Sequence, residues 1–396
     1  MEKTLIINAA IGEVRTALIV DDTPTQIALL RDHEPSLLGQ QFFARVLRVA
    51  TDLDGAFLDL GKFQAFLPRR NIRTEANQKG KALNSLIHEG EMIKVRITRD
   101  AMPSDNKLAI TAQIKTNVPS GQKPGSASSA THFIQQIINW PGYENIRNIV
   151  VDDLNMLAAI KQQLNVENAS TINLSAYNGD EPLFAVYGIE DKLSEVIENK
   201  IPLPSGGWIT IEATSALTAI DVNGGGSGHG RQAADNAVKI NLEAIDAVVN
   251  SLVFQNIGGL IVVDFLDMQG KEAKANLEEA MKKALARDPL HVEYGRFSPF
   301  GLMEIKRQRS GEGLRERLVD KFDKLRPDYV ALYLLRQAMH IGLAPSSGKI
   351  EITAPLATIT WLQNQTQLSI DLKEKTAREI LLKVGDNDVG SVSIIT

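Results

Sequence analysis

The sequence predicts a mixed α/β and α+β protein built from several subdomains, and three observations carry that expectation. Residues 39–115 hold a series of short strand patterns. Residues 132–396 alternate apolar strand runs with stretches of helical periodicity. Between them, residues 116–131 read Thr-Asn-Val-Pro-Ser-Gly-Gln-Lys-Pro-Gly-Ser-Ala-Ser-Ser-Ala-Thr, a composition that cannot bury a core and is expected to form a poorly ordered linker. At 396 residues the chain is long enough for two or three domains.

Composition narrows the class. Hydrophobic content of 43% and charged content of 23% are ordinary for a soluble globular protein. No apolar run approaches the ~18 residues of a membrane span. Met1-Glu2-Lys3-Thr4 lacks the basic start and long apolar run of a secretory signal, and a cytoplasmic location is expected. The absence of cysteine excludes disulfides and thiolate metal sites. A net charge of −5 does not advertise nucleic-acid binding, so any such site must be a local basic groove.

In chain order, residues 4–30 read as a strand meander that needs another layer to cover it. Within 39–115, five strand patterns suggest an OB-fold barrel: Ala44–Val49, Gly55–Leu60, Gln64–Pro68, Met92–Thr98 and Lys107–Ile114. Phe57, Phe63 and Phe66 are candidates to stack on bases, with Arg45, Arg48, Arg69, Arg70 and Lys107 near the nucleic-acid backbone. The competing expectation is that these rings fill the barrel. Residues 132–200 read as mixed α/β, with strands at Ile146–Val151 and Thr171–Leu174 and helices at 152–164 and 183–199. Residues 201–312 begin with a hairpin, Trp208–Glu212 and Leu217–Asp221. Helices follow over about 235–252 and 271–287, then short strands at Val292–Tyr294 and Gly301–Ile305. Residues 313–396 form a last α/β unit, with helices at Tyr329–Met339 and Pro355–Asn364 and strands at Lys349–Thr353, Leu368–Leu372 and Ile380–Val384.

The chemistry concentrates between Ile209 and Met268. Ala219-Ile220-Asp221-Val222-Asn223 and Gly258-Gly259-Leu260-Ile261-Val262-Val263-Asp264 are apolar runs that each end near an aspartate. Asp221 and Asp264 stand 43 residues apart, room for one loop, one helix and one turn between neighbouring strands. A strand-terminal aspartate often serves only as the N-cap of the next helix. Two together, with Asn223 and Asp267 beside them, favour a shared divalent cation, because converging carboxylates cost desolvation energy unless paired. The run Gly224-Gly225-Gly226-Ser227-Gly228-His229-Gly230 fits neither a P-loop nor a dinucleotide fingerprint and is expected to be a mobile loop beside the site. Arg296, Lys306, Arg307 and Arg309 form a basic cluster suited to phosphates, or else a solvated surface.

These segments resemble the catalytic core of the ribonuclease E/G family. The residues that carry the likeness are Ile220 to Asn223, Asn241-Leu242-Glu243-Ala244, and Gly258 to Met268, with Gly55 to Gly61 and Ala65 to Pro68 in the barrel. The resemblance implies a ribonuclease-H-like subdomain over 1–38 and 132–200 with an OB-fold RNA-binding domain, 39–115, inserted in it. It further implies a DNase-I-like catalytic subdomain over 201–312 and a small C-terminal domain over 313–396. The implied activity is Mg²⁺-dependent endonucleolytic cleavage of single-stranded RNA in RNA processing or decay. Asp221 and Asp264 would bind the metal, and Asn223 would orient Asp221 or the scissile phosphate. Phe57, Phe66 and Lys107 match the family's RNA-contact positions, and Arg296, Lys306, Arg307 and Arg309 follow its arginine pattern apart from Ser298-Pro299-Phe300.

The sequence also departs from the family. The linker stands where members carry a pocket for a 5′-monophosphate end. Arg309-Ser310-Gly311-Glu312-Gly313-Leu314 replaces a Cys-Pro-x-Cys element that shares zinc between subunits. Cleavage indifferent to the 5′ end is therefore expected, with no zinc and either a monomer or a dimer made without zinc. Glycines replace the usual Ala-Arg after the Asn-Ser of the first aspartate element. The shortened architecture and that glycine run keep open an RNA-binding scaffold or chaperone with little activity. A metal-dependent phosphomonoesterase or DNase is also compatible with the carboxylates.

Overall fold

A computed structural model describes residues 2–34, 37–73, 81–101, 108–114, 118–126, 145–166, 172–226, 231–268, 270–309, 311–344 and 347–395. Lys107, linker residues 116–117 and 127–131, and residues 227–230 of the glycine run lie outside the described residues.

The chain opens with the expected meander: β1 (Lys3–Ala10), β2 (Glu13–Val20) and β3 (Thr23–Arg31), paired antiparallel. It then leaves this sheet to form a barrel from β4 (Gln41–Ala50), β5 (Gly55–Asp59), β6 (Gln64–Pro68), β7 (Met92–Arg99) and β8 (Ala109–Ile114). The pairings run β4-β5-β6-β8-β7 and back to β4, closing the ring, with β6 and β8 parallel. The resulting closed five-stranded barrel is OB-like. Alternation explains the closure. Ala56 and Leu58 on β5, Ala65 and Leu67 on β6, and Val95 and Ile97 on β7 point inward, and small residues beside large ones fit the narrow interior. A short strand, β9 (Gly125–Ser126), lies against β4, so part of the expected linker is seated on the barrel.

The chain then returns to the first sheet. β10 (Asn148–Val151) pairs parallel to β1, and β11 (Asn173–Ala176) parallel to β10, giving the order β11-β10-β1-β2-β3. Helix α1 (Leu154–Val166) covers one face, where Ile160 and Leu164 meet Leu5, Ile7 and Ile149. Helices α2 (Leu183–Val186) and α3 (Ile189–Glu198) cover the other, packing Phe184 and Leu193 on Ile6, Ala17 and Ile27. The single helix expected over 183–199 is broken at Gly188, whose φ of +65° no helix interior accepts.

A second open sheet follows. Its elements are β12 (Ile201–Pro202), β13 (Trp208–Ala213), β14 (Thr218–Asn223), α4 (Arg231–Phe254), β15 (Gly259–Asp264), α5 (Lys271–Leu285), β16 (Val292–Phe297) and β17 (Leu302–Arg307). The strand order is β12-β13-β14-β15-β17-β16, and only β14 and β15 run parallel, joined by the α4 crossover. One face buries Ile209, Ile220, Val222, Ile261, Val263, Met303 and Ile305 against α4 and α5.

The last unit contains α6 (Leu314–Leu318), α7 (Pro327–Gly342), β18 (Lys349–Ala354), α8 (Leu356–Asn364), α9 (Thr366–Thr376), β19 (Ile380–Val384) and β20 (Ser391–Ile395). Leu368–Leu372, expected as a strand, lies within α9. A strand would set Leu368, Ile370 and Leu372 on one face, whereas the helix buries Leu368 and Leu372 through i and i+4 and leaves Ile370 exposed. Among the described residues no helix is long and apolar enough to cross a membrane.

A buried ion network ties the first sheet to α7. Glu13 on β2 accepts hydrogen bonds from Arg31 Nε at 2.8 Å and Arg336 Nη1 at 2.7 Å. Arg31 Nη1 also donates to Asp328 Oδ2 at 2.8 Å, and Arg326 Nε to Asp328 Oδ1 at 3.0 Å. Burial alone would raise the Glu13 carboxyl, but Arg336, Arg31 and Arg15 together outweigh it and hold the group at about 2.

Glu13→Gln should therefore lower the unfolding free energy by about 3–5 kcal/mol at pH 7, because Arg31 and Arg336 lose their shared counter-charge in the interior. The folded-state value lies below the ordinary 4.5, so the carboxylate's contribution is complete above that pH and is lost as pH falls toward about 2. Urea midpoints of wild type and variant should stay a constant distance apart from about pH 7 to pH 5 and converge below it. A gap that does not narrow in acid would assign the effect to packing.

Candidate active site

The site follows from strand parity. On β14, Thr218, Ile220 and Val222 are buried and Ala219 and Asp221 are exposed. On β15, Ile261 and Val263 are buried and Leu260 and Asp264 are exposed. Helices α4 and α5 cover one face, so the alternate residues emerge on the other. The parallel register sets Asp221 directly opposite Asp264, with Thr210 of β13 on the far side of Asp221 and Leu302 of β17 on the far side of Asp264. Neighbouring strands lie about 4.8 Å apart, so two carboxylates share one small patch of surface. Asp221 is not the end of its strand, contrary to the sequence expectation: pairing continues through Ile209–Val222 and Trp208–Asn223.

The helix-cap alternative fails on position. Helix α4 starts at Arg231, well past Asp221, and Gly270 occupies the N-cap of α5, beyond Asp264 and Asp267. Asn223 Nδ2 donates to Asp221 Oδ2 at 2.8 Å and so fixes that carboxylate's rotation. Among the described residues no lysine, arginine or histidine forms an ion pair with Asp221 or Asp264. Two adjacent oxygen-donor carboxylates without a protein counter-charge suit a hard divalent cation such as Mg²⁺. The one cluster of three potential ligands among the described residues, His33, Glu34 and Asp328, is a poorer host. Asp328 there already accepts hydrogen bonds from Arg31 and Arg326, and a cation would meet two guanidinium groups.

Asn241 supports the pair from the covered side. It is fully buried in α4, donates from Nδ2 to Leu266 O at 2.8 Å and accepts from Leu266 N at 3.0 Å. This two-way clamp anchors the segment between Asp264 and Asp267. The sequence resemblance includes Asn241 but gives it no role. Its signal is an amide on the same helical stripe as Ala244, Ile245 and Val248, all of them buried.

The basic cluster divides. Arg296 and Lys306 are exposed, and Lys306 Nζ lies 3.5 Å from Glu293 on the neighbouring strand. Arg307 does not join them. It points to the covered face, is 3% exposed, and forms a paired salt bridge to Asp288 through Nε at 2.7 Å and Nη2 at 3.1 Å. Its Nη1 donates to Ile257 O at 2.8 Å. Arg307 therefore serves structure, as its parity with the core residues Met303 and Ile305 requires. Arg309 is half-buried and lies across the start of β15, where its Nε donates to Gly258 O at 3.1 Å. A Cβ on Gly258 would stand 2.9 Å from the Arg309 backbone, and one on Gly259 would stand 2.8 Å from its guanidinium, so the Gly-Gly pair makes room for this arginine.

On the barrel, Phe57 and Phe66 are cross-strand partners whose rings meet edge-on at 5.3 Å. Both are half-buried and have the outward parity, while Ala56, Leu58, Ala65 and Leu67 fill the interior. Arg48 lies over the Phe57 ring at 4.9 Å. Phe63, by contrast, packs edge-on against Phe42 and belongs with the core. Gly55 completes the platform, since a Cβ there would collide with the Phe66 ring. Arg45, Arg48 and Arg70 are exposed near it, whereas Arg69 is half-buried and lies 3.5 Å from Asp54. Burial lowers the Arg99 pKa, and the charges of Arg309 and Arg70 lower it further.

Comparison with known proteins agrees with this arrangement. The sequence profile of the Ribonuclease E/G family matches residues 72–310. Ribonuclease E of Haemophilus influenzae is 30% identical over 239 residues, which cover 58% of this chain and 26% of that protein. Ribonuclease E of Escherichia coli is 28% identical over 256 residues, 62% of this chain and 24% of its own length. Ribonuclease G of Haemophilus influenzae is 23% identical over 402 residues, 80% of this chain and 82% of that protein. The matched part is about a quarter of each ribonuclease E relative. With more than half of its length matched by that profile, and with the paired aspartates inside the matched region, the chain belongs to the ribonuclease E/G family.

Proposed function

We propose that this chain is a Mg²⁺-dependent endoribonuclease that cleaves single-stranded RNA. The observation that carries the reading is the in-register pair Asp221–Asp264 on the uncovered face of the second sheet, with no ion-pair partner among the described residues. The printed names of the relatives, ribonuclease E and ribonuclease G, support it. Bound there, Mg²⁺ would supply an activated water and stabilise charge on the phosphate. The residues do the rest. Asp221 and Asp264 would hold the ion, and Asn223 keeps Asp221 turned toward it. Arg296 and Lys306 would guide the RNA backbone across the same sheet. The edge-on pair Phe57–Phe66 would stack on bases held by the barrel, on the strands that OB-folds use for oligonucleotides, with Lys107 as a further contact.

The strand order β11-β10-β1-β2-β3, with the barrel inserted after β3, supports a ribonuclease-H-like unit over 1–38 and 132–200. By the same reading 201–312 is a DNase-I-like catalytic unit and 313–396 a small C-terminal domain. The absence of cysteine favours a monomer, or a dimer through surfaces other than a shared zinc.

Asp221→Asn and Asp264→Asn should each reduce cleavage of a labelled single-stranded RNA by roughly 10³-fold or more, with RNA binding largely retained. Full activity in either variant, or activity undiminished by chelation of Mg²⁺, would refute the two-aspartate site.

Cleavage should also be indifferent to the 5′ end. Bidentate capture of a terminal phosphate needs arginine on a fixed platform, and 116–131 offers a single Lys123, which is exposed. One lysine without an arginine does not supply that fixed bidentate geometry. Initial rates on three RNAs beginning with a monophosphate, a triphosphate or a hydroxyl should agree. A tenfold preference for the monophosphate would reveal a sensor elsewhere in the chain.

A further inference from the structure

The turn joining β16 to β17, Ser298-Pro299-Phe300-Gly301, holds an aromatic ring in water. Phe300 is 89% exposed, more than any other large hydrophobic residue among the described residues. A phenylalanine left unburied forgoes the hydrophobic stabilisation that folding offers its ring, so the position asks for a reason. The turn is firmly built. Ser298 N donates to Leu302 O at 2.8 Å and Gly301 N to Ser298 O at 3.0 Å. Ser298 Oγ accepts from Phe300 N at 3.3 Å and from Leu302 N at 3.2 Å. Pro299 fixes its own φ, and Gly301 takes the left-handed φ of +84° that closes the turn.

Topology places this turn at the metal pair. Leu302 is the register partner of Asp264, and β17 runs antiparallel to β15. The residues before Leu302 therefore project past the C-terminal end of β15, the edge where Asn223 and Asp267 also lie. Phe300 is two positions before Leu302, so its backbone stands no more than roughly 7 Å from that residue. That is close to the step between neighbouring nucleotides in an extended single strand. Arg296, exposed on β16 two residues before the turn, adds a positive charge for the backbone.

We infer that Phe300 is a base-stacking residue that holds the nucleotide beside the scissile phosphate. The inference rests on the ribonuclease reading above and adds a second aromatic station, separate from the barrel pair. Stacking of this kind tolerates any base, because every base presents a π-face.

Two measurements on the full chain test it. The first is single-turnover cleavage of an RNA with one mapped site, with and without an abasic ribose at each flanking position. Phe300→Ala should slow cleavage of the intact RNA by roughly 5- to 150-fold, the range expected for one lost stack. It should cause no further loss on the RNA that is abasic at the stacked position, and Phe300→Trp should retain the wild-type rate. The second is quenching of 2-aminopurine placed at that position on binding, read without Mg²⁺. Wild type should quench it and Phe300→Ala should not. Equal rates and equal quenching in wild type and Phe300→Ala would overturn the inference, as would losses that multiply when variant and abasic RNA are combined. If wild type quenches but never cleaves, the stacking role stands and the ribonuclease reading fails. Because the side chain is exposed, thermal unfolding of Phe300→Ala should match wild type, so an effect on RNA cannot be ascribed to misfolding.

Discussion

Everything at the site depends on one parallel pairing. β14 and β15 are the only parallel neighbours in their sheet, and the α4 crossover sets their relative height. A slip of one residue would turn Asp264 into the core and bring Val263 to the surface. Such a slip would cost the burial of several apolar side chains, so the hydrophobic face polices the register of the polar one. The carboxylates meet because the isoleucines and valines between them cannot move.

The same division of labour runs through the barrel. Inward positions on β5 and β6 alternate alanine with leucine, and the outward position between them on each strand is phenylalanine. A filled interior frees the outer rings from any part in stability. Phe57 and Phe66 pack on each other, with Arg48 over Phe57 and Phe66 in the space left by Gly55. The ion network among Glu13, Arg31, Asp328 and Arg336 performs a different task, holding the first sheet against α7 through fixed hydrogen-bond geometry.

The sequence made much of this legible because its periodicities were unmixed. Both aspartate strands alternate or run apolar without interruption, and the 43-residue gap leaves room for one crossover helix. The five barrel strands were equally plain. What was not legible came from coincidences of period or from partners distant in sequence. Leu368 and Leu372 satisfy strand and helix alike, and only packing on α7 and β18 decides between them. Arg307 reads as one more cation in a basic cluster until its parity with Met303 and Ile305 is counted; its partner Asp288 lies 19 residues earlier. The exposed cap positions of Asp221 and Asp264 could be excluded only once the starts of α4 and α5 were known. Phe63 and Phe66 look alike in the sequence, but Phe63 lies in the bend between β5 and β6 and packs on Phe42, while Phe66 takes an outward position of β6.

The network around Glu13 bears on how the chain can be made. Glu13 and Arg336 are 323 residues apart, and β1 finds its parallel neighbour β10 only after the whole barrel has been translated. At about 5–20 residues per second, roughly 16–65 seconds pass between the emergence of Glu13 and of Arg336 from the ribosome. Until β10 emerges the edge of β1 is unpaired, and throughout the interval Glu13 awaits one of its two arginines. The barrel, whose strand pairings are all internal to 39–126, has no such wait. Translation therefore yields the barrel well before Arg336 arrives to complete the ion network on the first sheet.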